Sequence, residues 1–254
     1  MQNPLTRIYD PVNHWGEGYD QRDHICYVSG QNFVRARCDH HYICDCSSLY
    51  DLVHLIPCEA SYACDQCHNL TAHGHAIVIA TDGACRNNGR PDAIASCGVF
   101  FNVDSYHNKA FKVHDRRPTS QRAELRAAIY ALGSFTKMFT SGYVENKGYV
   151  TEVIIKSDSA YLVNGMTSWI IAWRQNGYLN SLGYNLKNQG LFRKLDRLCN
   201  NLAMMGVQVR FWKVPREENQ QADKLANAVL DGTRWKGLSV EDWFGDDPSR
   251  PVVH

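Results

Sequence analysis

The stretch that decides the fold is AIVIATDGACRNNG, residues 76–89. It begins with five apolar residues, 76–80, which is the length of a buried strand, and it ends in a turn rich in Asn and Gly. An apolar run bounded by turn residues of this kind predicts a central β-strand. Asp82 follows the run directly, and a buried carboxylate is costly unless a partner or a metal compensates it. We therefore expect partners for Asp82 elsewhere in the chain.

The same patterns predict the other elements of an α/β domain. Short apolar runs bounded by turn residues predict four more strands, at 95–103, 109–115, 151–159 and 207–214. Either Thr119 or Ser120 can serve as the N-cap of a helix that runs to about Phe139. A last helix is predicted after the fifth strand.

Three further acids are expected to meet Asp82. Asp158 ends the strand 151–159 as Asp82 ends the first, so the two carboxylates should lie at one edge of the sheet. Glu124 falls on the apolar face of the helix that begins near residue 120. The alternative is that Glu124 only stabilises the N-terminus of its own helix. Asp223 lies at the margin of the apolar face of the last helix, where a solvated position is the alternative.

Converging carboxylates favour a bound divalent cation. Like charges at short distance raise each other's pKa values, and a cation relieves that repulsion. Magnesium is a hard ion that prefers oxygen ligands. We therefore expect Mg²⁺ or Mn²⁺ at this cluster.

The charge of the chain is unevenly distributed. Residues 1–74 carry 4 Lys/Arg and 9 Asp/Glu, giving −5, whereas residues 75–231 carry 20 and 13, giving +7. The tail, residues 232–254, carries 3 and 4, giving −1. A moderately basic central block suits a polyanionic partner. We accordingly predict a Cys/His-rich N-terminal region at 1–74, a catalytic domain at 75–231 and a C-terminal tail at 232–254.

The N-terminal region is predicted to bind zinc. It holds 7 of the 10 cysteines and 7 of the 11 histidines. The spacing of Cys64 and Cys67 allows both thiolates to bind one tetrahedral Zn²⁺, and Cys44 with Cys46 is the nearest second pair. Substitutes for these ligands are available at Cys38, His40, His41, Cys58 and His68. Reduced structural cysteines are the alternative.

The sequence favours an intracellular protein, either nuclear or cytoplasmic. No apolar run approaches the roughly 18 residues of a membrane span, and the N-terminus lacks the apolar segment of a signal peptide. We expect no membrane partner, and we expect a monomer.

The motifs TDGACRNNG, TSQRAELRAAIYAL, SDSAYLVNGMTSWI and QQADKLAN, in this order, resemble those of type 1 ribonuclease H. That family cleaves the RNA strand of RNA–DNA hybrids with two divalent metal ions. The resemblance covers residues 75–231 and none of residues 1–74. It implies a ribonuclease H-like α/β fold, with a five-stranded mixed sheet flanked by helices and strands 1 to 3 antiparallel. Carried over by motif, the catalytic metal ligands would be Asp82, Glu124, Asp158 and Asp223.

The resemblance also implies where the DNA strand would lie. Trp169 and Trp173 are four residues apart, hence on one helix face, and with Ser181 they match a channel for that strand. Two core tryptophans are the alternative that the sequence alone favours.

Other substrate contacts follow from the same resemblance. Arg117, Thr119 and Asn188 match a pocket that grips a DNA phosphate, for which Arg and hydroxyl groups are suitable ligands. Four residues stand where the family recognises 2′-hydroxyls and minor-groove edges, which is how RNA is distinguished from DNA: Asn87, Asn88, Ser120 and Gln121.

The sequence departs from the family pattern in two places. In the family the loop that corresponds to the residues between Tyr178 and Gln189 is usually rich in basic residues. In this chain its only basic residue is Lys187. Relatives commonly carry a His between the last strand and last helix, but this chain has no His between 114 and 254. Arg216, Glu217 and Glu218 occupy that segment instead.

The converging acids predict a metal-dependent enzyme, and the resemblance implies an endonuclease that hydrolyses the RNA strand of RNA–DNA hybrids and leaves 5′-phosphate ends. One alternative is a non-catalytic module that uses the same fold to bind hybrid or double-stranded RNA. Another is a nuclease of the same fold with a different substrate.

Overall fold

The computed structural model describes residues 3–9, 54–55, 76–101, 105, 107–141 and 150–232. Its strands are β1 (His54–Leu55), β2 (Ala76–Arg86), β3 (Ile94–Phe100), β4 (Lys109–Val113), β5 (Glu152–Ser157) and β6 (Gln208–Lys213). Its α-helices are α1 (Ser120–Thr140), α2 (Ala160–Asn164), α3 (Ile170–Gln175), α4 (Gln189–Met204) and α5 (Gln220–Leu230).

The strands form one mixed sheet with β2 at its centre. The order is β4-β3-β2-β5-β6, and the two-residue β1 also pairs with β2. Strands β2, β3 and β4 are antiparallel, whereas β2, β5 and β6 are parallel. The predicted fold class, with its five main strands and its antiparallel meander, is therefore confirmed.

Strand β2 is buried on both faces, as its continuous apolar run requires. Ile77 and Ile79 enter the main core, in which α1 and α4 pack on one face of the sheet. Val78 packs with Ile154 and Trp212 on the opposite face. On that opposite side α5 also packs against β2 and β3. The sheet therefore separates two layers of helix.

Helix α1 is the central helix. Thr119 is its N-cap, because the Thr119 hydroxyl accepts a hydrogen bond from the Arg122 N–H at 3.3 Å. The predicted apolar stripe is buried, and so are residues on other sides of the helix. This follows from its position between the sheet and α4.

The helical region after β5 is interrupted. A π-helical turn, Gly165–Trp169, separates α2 from α3. A Cβ at Gly165 would lie 2.4 Å from the Phe192 ring, so the absence of a side chain lets the turn contact α4. Such π-turns inside helices occur frequently at functional sites.

Part of the N-terminal region packs on the same sheet as residues 76–232. Ile8 forms a bridge with Phe211 of β6, and β1 pairs with β2. The domain boundary near residue 74 stays a prediction. Among the described ranges, no helix combines the length and apolarity needed to cross a membrane.

We predict that Gly98→Ala destabilises the fold. A Cβ at Gly98 would lie 2.1 Å from the Ala222 carbonyl oxygen, so α5 would have to move away from β3. Overpacking of this kind costs about 1–3 kcal/mol of unfolding free energy. The matched control is Gly133→Ala in α1, where a Cβ meets nothing within 4 Å and helix propensity rises by up to about 1 kcal/mol. Urea denaturation measures both; equal stability of the two variants would contradict this packing.

Candidate active site

Two of the predicted acids lie at the same level of neighbouring strands. Strands β2 and β5 run parallel, with Ala80 opposite Lys156. Asp82 and Asp158 each lie two residues further on, where β2 leaves β5 and continues beside β3. Both carboxylates are therefore delivered to one end of the parallel pair.

Glu124 joins them because α1 lies unusually close to β2. A Cβ at Gly83 would be 2.2 Å from the Glu124 backbone nitrogen, a separation that only glycine permits. The Glu124 carboxylate accepts a hydrogen bond from the Ser159 hydroxyl. That hydroxyl also caps α2 by accepting from the Leu162 N–H at 3.1 Å. The Ser159 side chain thus links the start of α2 to Glu124.

Asp223 approaches from α5 together with two neighbours. The Arg216 guanidinium donates to Asp223 Oδ1 at 2.8 Å. The Asn219 amide donates to Asp158 Oδ1 at 3.0 Å and to the Thr81 carbonyl at 3.1 Å. Asn219 is buried, and its Oδ1 has no hydrogen-bond partner. A buried acceptor without a partner has capacity for a water molecule or a cation.

The four acids influence one another electrostatically. Burial first, then the charges of Asp158 and Asp223 and, to the smallest extent, that of Glu124 raise the pKa of Asp82 to about 7, although a hydrogen bond from the Gly83 N–H acts to lower it. Burial also raises the pKa of Glu124, the hydrogen bond from Ser159 acts to lower it, and the charge of Asp158 raises it further. The structure therefore brings together the four residues that the sequence predicted to converge.

The residue types at this cluster fit a hard divalent cation. In the part of the chain that the structure describes, no three His, Cys, Asp or Glu side chains stand close enough to form a ready-made metal site. Ser159, Asn219 and Arg216 each hold one carboxylate instead. Carboxylate and amide oxygens are nevertheless the ligands that Mg²⁺ prefers. A bound cation would take over the stabilisation that these partners provide.

Sequence analysis missed the roles of Ser159 and Asn219. Asn219 precedes α5, where Asn usually caps the helix. Its side chain makes no capping bond and serves Asp158 instead. Ser159 does cap its helix, and the sequence could not show that its hydroxyl reaches Glu124.

Two residues of the predicted phosphate pocket, Thr119 and Asn188, are both hydrogen-bonded to Arg122. Arg122 bonds Asp115 at 2.8 Å and Asn188 Oδ1 at 3.1 Å. The Asn188 amide in turn donates to the Tyr161 hydroxyl at 3.3 Å. Thr119, as the N-cap, is within the same helix start, and its hydroxyl proton remains able to donate. Arg117 is exposed two residues earlier.

The turn after β2 lies beside the start of α1. The Asn88 amide donates to the Ser120 hydroxyl at 3.2 Å. Asn87 adopts a left-handed conformation, with φ of 54°, and donates to Asp92 at 2.8 Å. Gln121 is half-buried at the helix start. Three of the four predicted 2′-hydroxyl readers therefore lie within one local surface, with Asn87 in the adjoining turn.

The two tryptophans differ in exposure. Their ring centroids are 5.8 Å apart, as the four-residue spacing predicts. Trp173 is half-buried and packs on Phe192 at 4.8 Å, whereas Trp169 is 41% exposed. Trp173 thus packs against the core while part of its ring remains accessible at the surface. Ser181 is exposed in the turn after α3, and its place beside the tryptophans stays a prediction.

The predicted zinc ligands lie outside the described residues. This applies to Cys44, Cys46, Cys64 and Cys67, so the zinc site stays a prediction. The cysteines that the structure does describe are free thiols: Cys85, Cys97 and Cys199.

We predict that Asp82→Asn stabilises the protein in a chelating buffer. The folded protein raises the pKa of Asp82 from the ordinary aspartate value of 3.8 to about 7, so the folded state binds this proton more tightly than the unfolded state does. Stability is therefore lost as the pH rises from about 4 to 7 and stays reduced above 7. The variant should gain about 2–4 kcal/mol above pH 7, and the gain should shrink toward pH 4.

Asp115→Asn is the matched control with the opposite sign. Burial alone would raise the pKa of Asp115, but hydrogen bonds from Arg122 and Arg126 lower it. This variant should lose stability above the usual pKa of an aspartate. Thermal unfolding against pH measures both variants, and a loss of stability in Asp82→Asn would contradict the crowding of charge around Asp82.

Comparison with known proteins identifies the family. The family model described as RNase H matches residues 74–231. Ribonuclease H1 of Rattus norvegicus is 31% identical over 157 residues, which are 60% of this chain and 50% of that protein. The chain thus spans about half the length of this relative.

A shorter relative is covered almost completely. Ribonuclease H of Clostridium botulinum (strain Hall) is 30% identical over 156 residues, covering 61% of this chain and 95% of that protein. Among solved structures, LC11-RNase H1 in complex with RNA/DNA hybrid is 24% identical with a TM-score of 0.41, covering 61% of this chain and 96% of that one. The family model and the Clostridium botulinum relative show that the chain belongs to the RNase H family.

Proposed function

We propose that this protein is a metal-dependent endonuclease that hydrolyses the RNA strand of RNA–DNA hybrids. The observation that carries the proposal is the convergence of Asp82, Glu124, Asp158 and Asp223 in a chain of the RNase H family. These carboxylates come from four places in the fold: strand β2, helix α1, the end of strand β5 and helix α5. A fold that only needed stability would not crowd like charges in this way.

The four acids would hold two Mg²⁺ or Mn²⁺ ions. When bound, such a pair activates a water molecule and stabilises the leaving oxygen of a phosphodiester. Asp82 is central, because its charge interacts with those of the other three. Asn219 positions Asp158, and Ser159 positions Glu124. Cleavage in this way leaves a 5′-phosphate on the product.

Arg216 is the one basic residue among Arg216, Glu217 and Glu218, which occupy the segment where the family resemblance implies a histidine. Its guanidinium contacts Asp223 and interacts with the charges of Asp158 and Asp82. An arginine remains protonated at any physiological pH, so it supplies positive charge and cannot transfer a proton. Arg216 would therefore offset the charge of the acids or of a phosphate.

Hybrid recognition would use a connected surface beside the acids. Asn88 and Ser120 would contact the RNA strand through 2′-hydroxyls. Arg122 links Asn188 to the helix start, and Asn188 contacts Tyr161, whose ring packs edge-on against Trp169. This network would join the phosphate pocket to the tryptophans that line the DNA strand.

A non-catalytic module for hybrid or double-stranded RNA is the alternative. Buried carboxylates repel phosphates, so a module that only binds nucleic acid gains nothing from four of them. The proposed zinc site in the N-terminal region is independent of this choice.

We predict that Asp82→Asn abolishes cleavage of labelled hybrid and leaves hybrid binding largely intact, because the carboxylate holds metal and does not support the backbone. The matched control is Glu152→Gln, which removes a carboxylate at the opposite end of β5, where Glu152 pairs with Arg210 at 2.8 Å. The control should cleave as the wild type does. Cleavage in the presence of a chelator, or by the Asp82 variant, would refute the mechanism; hybrid binding with no cleavage by the wild type would favour the alternative.

We predict that Trp169→Ala weakens hybrid binding and hardly changes Tm. Its ring is 41% exposed, and stacking on nucleic acid is worth about 1–3 kcal/mol. Trp173→Ala is the comparison, because the Trp173 ring packs on Phe192 and its loss should lower stability as well as affinity. Fluorescence anisotropy with labelled hybrid and thermal unfolding measure the two effects. Unchanged affinity in Trp169→Ala would show that this ring does not contact substrate.

A further inference from the structure

Residues 3–9 bind along the outer edge of the sheet, in a region that the family resemblance does not cover. Ile8 forms a parallel bridge with Phe211 of β6, and the Tyr9 N–H donates to the Phe211 carbonyl at 3.0 Å. The Tyr9 ring packs edge-on against Trp212, with centroids 5.3 Å apart. The segment therefore covers an edge strand that would otherwise expose unpaired backbone groups.

Arg7 is buried more deeply than covering an edge requires. Its exposed fraction is 0%. Its Nη1 donates to Asp196 Oδ1 at 2.8 Å and its Nη2 to Asn200 Oδ1 at 3.2 Å, both on α4. Its Nε is buried without a hydrogen-bond partner. An apolar side chain would fill such a site at lower cost, so the guanidinium indicates a specific task.

That task is centred on Asp196, which also binds two residues that follow the tryptophans. Arg174 donates to both Asp196 oxygens, at 3.0 and 2.6 Å. The Tyr178 hydroxyl lies 3.4 Å from Asp196 Oδ2. Burial alone would raise the pKa of Asp196, but hydrogen bonds from Arg174 and Arg7 lower it. The carboxylate is therefore ionised and joins the N-terminal segment to α3.

Arg174 and Tyr178, which both contact Asp196, border the helical stretch that carries Trp169 and Trp173. Arg174 directly follows Trp173, and the Tyr178 N–H donates to the Trp173 carbonyl at 2.7 Å. The turn Pro4–Arg7 also packs against the π-helical turn that contains Trp169. The N-terminal segment thus contacts one end of this stretch directly and is linked to the other end through Asp196.

We propose that Arg7 is a positioning residue for hybrid binding, which fixes the stretch carrying Trp169 and Trp173 through Asp196 and Arg174. The inference rests on the proposed function. A stretch that is already ordered loses less conformational freedom on binding, so affinity increases. The acids around Asp82 lie elsewhere, so the rate of bond cleavage on bound substrate does not depend on Arg7.

The test uses the full chain with Arg7→Ala, Arg7→Lys and the control Ile8→Ala. Lysine keeps the charge but cannot contact Asp196 and Asn200 with one planar group. Ile8 lies in the same segment, and its side chain is 55% exposed. The measurements are the Kd for labelled hybrid by anisotropy in a chelating buffer, KM and kcat with Mg²⁺, and Tm.

Arg7→Ala should raise both Kd and KM about tenfold, within the usual range of coupling between sites, and should leave kcat within about twofold. Arg7→Lys should fall between it and the wild type, and Ile8→Ala should match the wild type. All values are taken well below the Tm of each variant, so that a stability defect does not appear as an affinity defect.

Two outcomes overturn the inference alone. In the first, Arg7→Ala binds and cleaves as the wild type does, even if its Tm is lower, and Arg7 then serves only the fold. In the second, kcat falls while KM is unchanged. A wild-type protein that neither binds nor cleaves hybrid overturns the proposed function and this inference together, and that result is seen before any variant is compared.

Discussion

Repulsion among the carboxylates around Asp82 is the constraint on which the rest of the site depends. Burial and three neighbouring acids raise the pKa of Asp82 to about 7, so a metal-free protein at neutral pH keeps these groups together at a cost in stability. The cost is met by short-range partners: Ser159 on Glu124, Asn219 on Asp158 and Arg216 on Asp223. A divalent cation would replace all three compensations at once.

The fold tolerates this repulsion because the acids lie at one end of the central strands of a well-packed sheet. Strand β2 is buried on both faces and pairs with β3, β5 and β1. Gly83 and Gly98 let helices approach the strands so closely that any side chain would clash. The first brings Glu124 to Asp82, and the second brings α5, which carries Asp223, onto the sheet. Two glycines therefore set the spacing of the acids.

Most of the fold was predictable from local patterns. The apolar run of β2, the strand that ends at Asp158 and the N-cap at Thr119 depend on short-range preferences that one sequence displays. Long-range contacts were not predictable: the Ser159 hydroxyl on Glu124, the Asn219 amide on Asp158 and the burial of Arg7 beneath α4 join residues far apart in the chain. The π-helical turn at Gly165 was also missed, because it depends on the Phe192 ring of another helix.

The central claim is that the four carboxylates form a metal site. The most direct measurement is the number of Mn²⁺ ions bound per chain, by electron paramagnetic resonance, in the presence of a hybrid that cannot be cleaved. The account predicts about two ions for the wild type and the loss of at least one in Asp158→Asn, with Glu152→Gln unchanged. No bound Mn²⁺, or equal binding by wild type and Asp158→Asn, would contradict it.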